Sequence, residues 1–382
     1  MALAVYVGVV QFLFGTTWTL YVIYLPQLAQ NAGIGREWVP WILVADQLVF
    51  AAMDVVTGFW VDRVRAGLGR FGGWIVAGSA LSAFAFLTLP YAGASASVLL
   101  VAIALWAITS SALRSPPWAL LSRYAATPSI PWLSTIVLTG TAVASAIAPY
   151  LGVALRGVDP RVPFIVSTLT LLATVVGLML AERRFPPNAP SEAPTARPSG
   201  STAGSAALFM ALLLLALGFQ VHFSLSSAQR YVQFAPREQL PYLMPVFWIG
   251  FNLLLFPAAR VVKRLGVADA MALAAALGAL AMLLTVFAPG LAVLVVAEFL
   301  AGGCWGAASV AAYSAAVALG RTGREGRFLG TLFAVLAVAV AARIALAGSG
   351  VAQSHFFSVL QPWLPQTFWL CGALLLLAGR FR

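Results

Sequence analysis

The sequence predicts an all-α membrane protein with twelve transmembrane helices arranged in two six-helix bundles. Hydrophobic residues make up 62% of the 382 residues and charged residues only 9%, and the mean hydropathy is +0.95. A soluble domain of this length would expose more contiguous apolar surface than water tolerates. The apolar residues fall into twelve runs, and the connection in the middle of the chain is much longer than the others.

The twelve apolar runs each approach the length of about 20 residues that a helix needs to cross a bilayer. The predicted spans are 4–25, 39–61, 73–92, 97–121, 131–154, 163–181, 207–227, 241–261, 269–288, 291–318, 328–349 and 360–380. The first run is predicted to be retained as a helix, because the residues before it lack the basic segment of a signal peptide.

The long central connection divides the spans into two sets of six. Residues 182–206 are rich in Pro, Ser and Ala and contain few large apolar residues, which is typical of a linker. We therefore predict an N-terminal six-helix bundle over residues 1–181, a cytoplasmic linker over 182–206 and a C-terminal six-helix bundle over 207–382. Repeated halves of this kind rock about a central site in secondary transporters.

Arginine and lysine residues are distributed unevenly over the connections. Fifteen of the 22 fall on one side of the predicted membrane, five fall on the other, and Arg114 and Arg343 remain within spans. The positive-inside rule then predicts a multi-pass protein of the cell (inner) membrane with both termini in the cytoplasm. The net charge of +11 does not indicate nucleic-acid binding, because the basic residues are spread over short loops and form no face.

A basic, glycine-broken turn follows the second span. Asp54, Gly58 and Asp62 are four residues apart, so they form one row along a helix. Gly58 permits close approach of a neighbouring helix, and Asp62 can accept hydrogen bonds from arginines or from a helix N-terminus. We predict a gate at these helix ends, although the arginines alternatively serve only as topology signals. The predicted gating residues are Gly58, Asp62, Arg63, Arg65 and Arg70.

The pattern Gly-x-x-x-Asp-Arg followed by Gly-Arg resembles the loop between the second and third helices of the major facilitator superfamily of transporters. Asp54, four residues before Gly58, narrows the likeness to the sugar:cation symporter branch, the melibiose-permease and sucrose-transporter type. Residues 105–107 and 114–120 are similar to the fourth helix of that branch. The resemblance covers most of residues 40–124. It implies the major facilitator fold and transport of a sugar by alternating access.

Two departures from that branch fall on its cation site. The relatives carry two carboxylates one turn apart on the second helix, and the earlier position is Phe50 here; their fourth-helix aspartate corresponds to Arg114. The resemblance therefore implies no sodium site in this chain. Asp54 and Arg114 lie about 12 Å and about 10 Å from the cytoplasmic ends of their spans at ~1.5 Å rise per residue. We predict a buried, neutral pair in which the guanidinium replaces sodium; alternatively, Arg114 extends to the lipid headgroups.

Other ionisable residues also lie within spans, where a charge costs about 2.5–3.5 kcal/mol and therefore faces a cavity or a partner. Asp46 is interpreted either as a substrate-binding or proton-binding carboxylate or as a structural hydrogen-bonding group. Glu298 and Arg343 lie at similar depth and are predicted to form a structural ion pair. His222 could relay protons, but a single histidine near a membrane interface favours simple hydrogen bonding.

Uncharged amides and aromatic rings provide further candidates for substrate contact, because sugar recognition uses these groups. Each of them could equally serve helix packing. The candidates are Gln11, Trp18, Tyr21, Gln220, Asn252, Trp305 and Tyr313.

These observations predict a secondary active transporter or facilitator of a small polar solute, such as a sugar or glycoside, that works by alternating access and can couple to protons. We expect a monomer in the lipid bilayer with no cofactor, no metal and no enzymatic activity. Proton-linked efflux of drugs or metabolites is the alternative within transport. Two other classes stay open: a transport-dead membrane assembly factor and a membrane-embedded prenyltransferase-type enzyme. The latter needs aspartates one turn apart, whereas Asp46, Asp54 and Asp62 are spaced by eight.

Overall fold

The computed structural model describes residues 2–63, 68–111, 114, 117–118, 121, 129–182, 202–320 and 323–379, and these residues form helices and turns without any β-strand. Twelve helices of 15 or more residues follow one another in this part of the chain. They are Ala2–Asn31 (α1), Val39–Arg63 (α2), Leu68–Thr88 (α3), Ala96–Ser110 (α4), Ile130–Ala154 (α5), Arg161–Glu182 (α6), Thr202–Phe219 (α7), Pro245–Leu265 (α8), Val267–Val286 (α9), Leu291–Gly320 (α10), Glu325–Gly348 (α11) and Leu364–Ala378 (α12).

Nine of the described helical segments are long and apolar enough to cross a membrane. Three further apolar helical segments are shorter in their described side chains: Ala96–Ser110, Arg161–Gly177 within α6, and Leu364–Ala378. Together they give the twelve spans of an all-helical membrane protein, so the predicted fold class is confirmed.

Helix α4 ends earlier than the sequence predicts. The fourth span was predicted to reach residue 121, whereas α4 ends at Ser110 and Arg114 lies in a turn. Pro116 and Pro117 follow in the sequence, and proline disfavours a continuing helix because it lacks an amide donor. Arg114 therefore stands on a turn beside α2 and not on the face of a continuous helix.

The last span is also shorter than predicted. Instead of one helix from residue 360, the structure has a short helix, His355–Leu360, and then α12 from Leu364. Pro362 lies within this break, and Pro365 occupies one of the first positions of α12, where no amide donor is needed.

The twelve helices pack as two bundles. In the first, α1 packs against α5 and α6, α3 packs against α4 and α6, and α2 packs against α4. In the second, α10 packs against α8 and α9, and α12 packs against α7 and α9. The bundles meet chiefly along two helix pairs, α2 with α11 and α5 with α8, and α5 also contacts α10. We call the first of these contacts the α2–α11 seam.

Helix α7 does not keep regular α-helical geometry throughout. It continues beyond Phe219 as a π-helical stretch, Gln220–Ser227, and then as a final turn, Ala228–Tyr231. The hydroxyls of Ser226 and Ser227 each donate to a carbonyl oxygen five residues earlier, at 3.1 Å. Single π-helical turns of this kind are often found at functional sites.

Candidate functional site

One end of the α2–α11 seam is closed by the Asp62 carboxylate. It accepts hydrogen bonds from the backbone amides of Gly326 and Arg327, at 2.7 Å and 2.8 Å. Both amides belong to the first turn of α11, where backbone N–H groups have no partner within the helix. This N-terminal end also carries the positive partial charge of the helix dipole. The last turn of α2 is thus attached to the first turn of α11, at what we call the Asp62 end of the bundles.

Glycines bring the two backbones of the seam into contact next to Asp62. A Cβ atom placed on Gly58 would lie 2.3 Å from the carbonyl oxygen of Gly326, and one on Gly330 would lie 2.2 Å from that of Asp54. Neither position has room for a side chain. Sequence reasoning predicted this close approach only at Gly58. It missed Gly326 and Gly330, although their four-residue spacing is a known signal for close helix packing.

Asp54 and Arg114 form a buried ion pair further along the seam. Arg114 Nη2 lies 3.0 Å from Asp54 Oδ2, which is the contact that the sequence predicts. The Asp54 side chain is 0% exposed and that of Arg114 is 13% exposed. The guanidinium also lies over the rings of Phe50 and Phe333, at 4.7 Å and 5.6 Å from their centroids. The charge of Arg114 is therefore balanced by one carboxylate and by two aromatic faces.

Residues of both bundles surround this ion pair. Trp118, from the first bundle, stacks on Tyr313 of α10 with ring centroids 4.2 Å apart, and Tyr313 lies 5.6 Å from Phe333 of α11. Asp54 Oδ1 and Arg114 Nε are buried and make no hydrogen bond to the protein. Buried polar atoms normally have partners, so Asp54 Oδ1 retains capacity to accept a hydrogen bond from a solute or from water, and Arg114 Nε retains capacity to donate one.

Asp46 lies in a second polar position on α2, nearer to the other end of that helix. The hydroxyl of Tyr21 donates a hydrogen bond to its Oδ2 atom, and both side chains are buried. The Trp106 ring lies 4.7 Å from the Tyr21 ring, and Trp18 lies 5.5 Å from Phe50. Phe50 therefore contacts both the aromatic surroundings of Asp46 and the guanidinium of Arg114.

The predicted ion pair between Glu298 and Arg343 is not formed. Glu298 Oε2 instead lies 3.1 Å from His222 Nε2, and the two side chains are each 1% exposed. Arg343 is partly buried on α11, and its Nε atom has no hydrogen-bond partner. The prediction failed because equal depth in a membrane does not determine which face of a helix a side chain occupies. Glu298 faces α7.

The uncharged candidates are divided between the bundles. Gln11, Trp18 and Tyr21 lie on α1, and Gln11 is buried. In the second bundle, Gln220 accepts a hydrogen bond from Ser224 at 3.4 Å, and Asn252 donates one to the Trp248 carbonyl at 2.9 Å. Trp305 stacks on Phe219 with centroids 4.8 Å apart, while Tyr313 lies beside the Asp54–Arg114 pair.

The predicted arginines of the gate are only partly described. Arg63, the last residue of α2, is exposed. Arg65 lies outside the described residues, and so does the side chain of Arg70, whose backbone belongs to α3. Phe333 is the contact that sequence reasoning could not find, because one phenylalanine among 24 in an apolar helix carries no distinguishing pattern.

Comparisons with known proteins give likenesses in structure alone. No protein-family profile and no curated protein sequence matches the chain. Among solved structures, the human organic anion transporter MFSD10 (TETRAN) is similar with a TM-score of 0.71 and 16% identity, covering 99% of this chain and 97% of that one. A bacterial homologue of the iron transporter ferroportin, in its outward-facing state, gives a TM-score of 0.75 and 14% identity over 100% of both chains.

A third similar structure is the fucose:proton symporter FucP of E. coli, with a TM-score of 0.70 and 16% identity over 100% of this chain and 98% of that one. FucP is a major facilitator superfamily transporter. At such low identity these likenesses establish the fold and nothing finer. The chain has the major facilitator fold.

Proposed function

We propose that the chain is a secondary transporter of the major facilitator superfamily, and not an enzyme, that moves a small polar solute across the membrane by alternating access. The observation that carries this proposal is the buried Asp54–Arg114 pair, in which Arg114 Nη2 lies 3.0 Å from Asp54 Oδ2. Side chains of both bundles surround this pair. Charged residues within a membrane are costly, and where they occur they mark substrate or ion pathways. A site at the junction of two bundles is also where transporters of this fold bind their solutes.

In the proposed transport cycle, the two bundles separate and rejoin at the α2–α11 seam. We assign the moving units to residues 1–181 and 207–382, joined by a linker over 182–206, in a monomer of the cell (inner) membrane with both termini in the cytoplasm. The hydrogen bonds from Gly326 and Arg327 to Asp62 hold the bundles together at one end. Opening that end requires these bonds to break, so their free energy sets the balance between the two access states.

A sugar or glycoside is the solute class that the surroundings of Asp46 support best. The Tyr21 hydroxyl and the Asp46 carboxylate supply hydrogen-bonding groups. Trp18 and Trp106 supply aromatic rings, whose centroids are 6.0 Å apart. Carboxylates and aromatic rings together are suited to hydroxyl-rich, partly apolar rings. The likeness to the fucose:proton symporter is compatible with this class.

Export of an organic anion, driven by protons, is the second candidate. It is favoured by the buried Arg114 Nε atom, which has no protein partner and could donate to a carboxylate or phosphate. The likeness to the organic anion transporter MFSD10 is compatible with this alternative. The two candidates differ in which residue contacts the solute, Asp46 for a sugar and Arg114 for an anion.

A ligand panel distinguishes the candidates. The purified protein is heated with monosaccharides, glycosides, organic anions and cationic drugs, and ligands that raise its melting temperature are tested for counterflow in proteoliposomes. Counterflow of a sugar that Asp46→Asn abolishes supports the first candidate, and counterflow of an anion that Arg114→Gln abolishes supports the second. Glu37→Gln, which removes an exposed charge, is the matched control. The transporter proposal fails if no stabilising ligand crosses faster than in protein-free liposomes.

A further inference from the structure

We infer that His222 and Glu298 form a proton-binding site inside the second bundle, which loads and releases one proton in each transport cycle. The inference rests on the transporter function proposed above. The Nε2 and Oε2 atoms are 3.1 Å apart, and each side chain is 1% exposed. With the proton bound, the imidazole and the carboxylate together are neutral overall. After release they are a neutral imidazole and a carboxylate, with a net charge of −1.

The hydrogen bonding of this pair is incomplete. His222 Nδ1 and Glu298 Oε1 are buried without a protein partner, and so is the hydroxyl of neighbouring Tyr231. A purely structural ion pair within a membrane would be expected to have its remaining donors and acceptors bonded, because an unmade buried hydrogen bond is destabilising. These three atoms, one each on the imidazole, the carboxylate and the neighbouring phenol, are therefore free to bind a water molecule that delivers or accepts the proton.

The backbone around His222 supplies an independent observation. His222 lies within the π-helical stretch Gln220–Ser227, and its carbonyl oxygen accepts the hydroxyl of Ser227 at 3.1 Å. A π-helical turn inserts one extra residue into a helix and so rotates the face that follows it, and such turns are frequently found at functional sites. Here it lies at the histidine whose imidazole reaches across to α10.

A nearby positive charge can compensate the negative charge that the His222–Glu298 pair acquires when it releases its proton. Arg230 and Tyr231, in the final turn of α7, interact electrostatically with Glu298. Arg230 is itself held by the Thr285 hydroxyl of α9 at 2.6 Å, and α8 contributes the apolar ring of Phe247, 6.1 Å from the imidazole. Arg343 of α11 forms no ion pair with the site. A guanidinium near Glu298 stabilises the carboxylate when the proton leaves.

The site lies away from the Asp62 end. Helix α7 runs from Thr202 to Tyr231 once its π-helical stretch and final turn are included, and His222 stands in the part near Tyr231, whereas Asp62 is bonded to the first turn of α11. Glu298 similarly lies in the first third of α10, which begins at the end opposite Asp62. A proton can therefore load from that opposite end while the Asp62 end stays closed.

The chain contains only two histidines, which makes the proton on His222 directly measurable. His355 is exposed at the start of a short helix and serves as the internal reference. The full-length protein is labelled with 15N-histidine, placed in lipid nanodiscs and titrated from about pH 5 to pH 9 by NMR, where the imidazole nitrogens report protonation and tautomer. The His355→Gln variant assigns the signals.

The expected result is a His222 signal that reports a change of protonation state or tautomer with pH in the wild-type protein, and a different response in Glu298→Gln, because that variant removes the carboxylate 3.1 Å from the imidazole. The His355 signal is the same in the wild-type protein and in Glu298→Gln, and the exposed-site control Glu238→Gln changes neither signal. The inference is overturned if His222 does not titrate in the wild-type protein, or if its titration is the same in Glu298→Gln. The wild-type measurement decides even where a variant fails to fold.

A flux measurement separates this inference from the transporter proposal. Proteoliposomes loaded with a pH-sensitive dye receive a solute from the stabilising panel, and solute uptake and proton entry are followed together. Coupling is supported if Glu298→Gln retains solute counterflow but loses proton entry, and it is overturned if proton entry continues. If His222 titrates as expected but no solute is taken up, the transporter proposal fails and the proton-binding site stands.

Discussion

The Asp62 carboxylate accepts a hydrogen bond from the backbone amide of Gly326 at 2.7 Å, and so joins the last turn of the second helix to the first turn of the eleventh. A second bond, from the Arg327 amide at 2.8 Å, gives the contact two donors. Hydrogen bonds to a charged acceptor contribute about 1.5–3 kcal/mol each, roughly tenfold or more in an equilibrium constant. These bonds exist only while the two helix ends are in contact, so they favour the state in which this end is closed.

Replacement of Asp62 by Asn should therefore shift the protein towards the state open at the Asp62 end and reduce transport at least several-fold, without loss of the protein from the membrane. The neutral amide keeps one acceptor but loses the charge that strengthens both bonds. Solute counterflow in proteoliposomes, normalised to the amount of inserted protein, measures the effect. Glu37→Gln removes an exposed carboxylate just before the start of α2, at the other end of that helix from Asp62, and should leave counterflow unchanged. Full activity of Asp62→Asn would mean that the contact has no part in gating.

Gly330→Ala should destabilise the seam. Its added Cβ would lie 2.2 Å from the Asp54 carbonyl oxygen, which belongs to backbone and cannot move alone. Overpacking of this kind costs about 1–3 kcal/mol. The melting temperature in detergent should fall, and Gly73→Ala on α3 is the matched control, because a Cβ there meets nothing within 4 Å. Equal melting temperatures for the two variants would contradict a tight seam.

The sequence predicted the twelve helices and the Asp54–Arg114 contact, and both predictions rest on the cost of placing polar or charged groups in a membrane. Hydropathy and run length determine which segments cross a membrane, so the twelve-helix fold followed from composition and spacing. The contact between Asp54 and Arg114 followed from equal depth together with the resemblance, because the relatives carry carboxylates at these two positions that converge on a cation, and a buried charge needs a partner. The same depth argument failed for Glu298 and Arg343. Several neighbours lie at any one depth, and the rotation of each helix selects among them.

The contact of Glu298 with His222 depends on the π-helical stretch of α7, which changes the direction of every side chain after it. Hydropathy patterns assume a uniform helix, so they contain no information on such a turn. For this reason a charge reversal at both Glu298 and Arg343 should not restore the stability that either reversal alone removes. Recovery in the double variant, measured as melting temperature, would reinstate the pair that the structure does not contain.

The Asp54–Arg114 pair allows a double-mutant cycle. Asp54→Asn or Arg114→Gln alone leaves one buried charge without its partner, and each should lower stability by about 3–5 kcal/mol. The combined variant removes both charges and should recover much of that loss, since a neutral pair of similar shape is often tolerated. Chemical denaturation in detergent, or expression level where unfolding is irreversible, measures the interaction. Additive effects of the two substitutions would show that the residues do not stabilise each other.

Sodium independence is the functional consequence of the same pair. The guanidinium lies 3.0 Å from Asp54 and 4.7 Å from the centre of the Phe50 ring, so a fixed positive charge already neutralises the Asp54 carboxylate. A sodium ion bound there would have to displace Arg114 into lipid or leave two cations beside one carboxylate, and both outcomes are unfavourable in a low-dielectric site.

Uptake of a transported solute into proteoliposomes, at fixed pH and membrane potential, should therefore change less than about twofold when sodium is replaced by choline, a difference of about 0.4 kcal/mol. Arg237→Gln removes an exposed arginine and controls for the change in net charge when the same comparison is made with Arg114→Gln. If the wild-type rate rises with sodium, the guanidinium does not take the place of the ion. If only the Arg114→Gln rate rises, the free Asp54 carboxylate has become accessible to sodium, and the guanidinium is what excludes the ion from the wild-type protein.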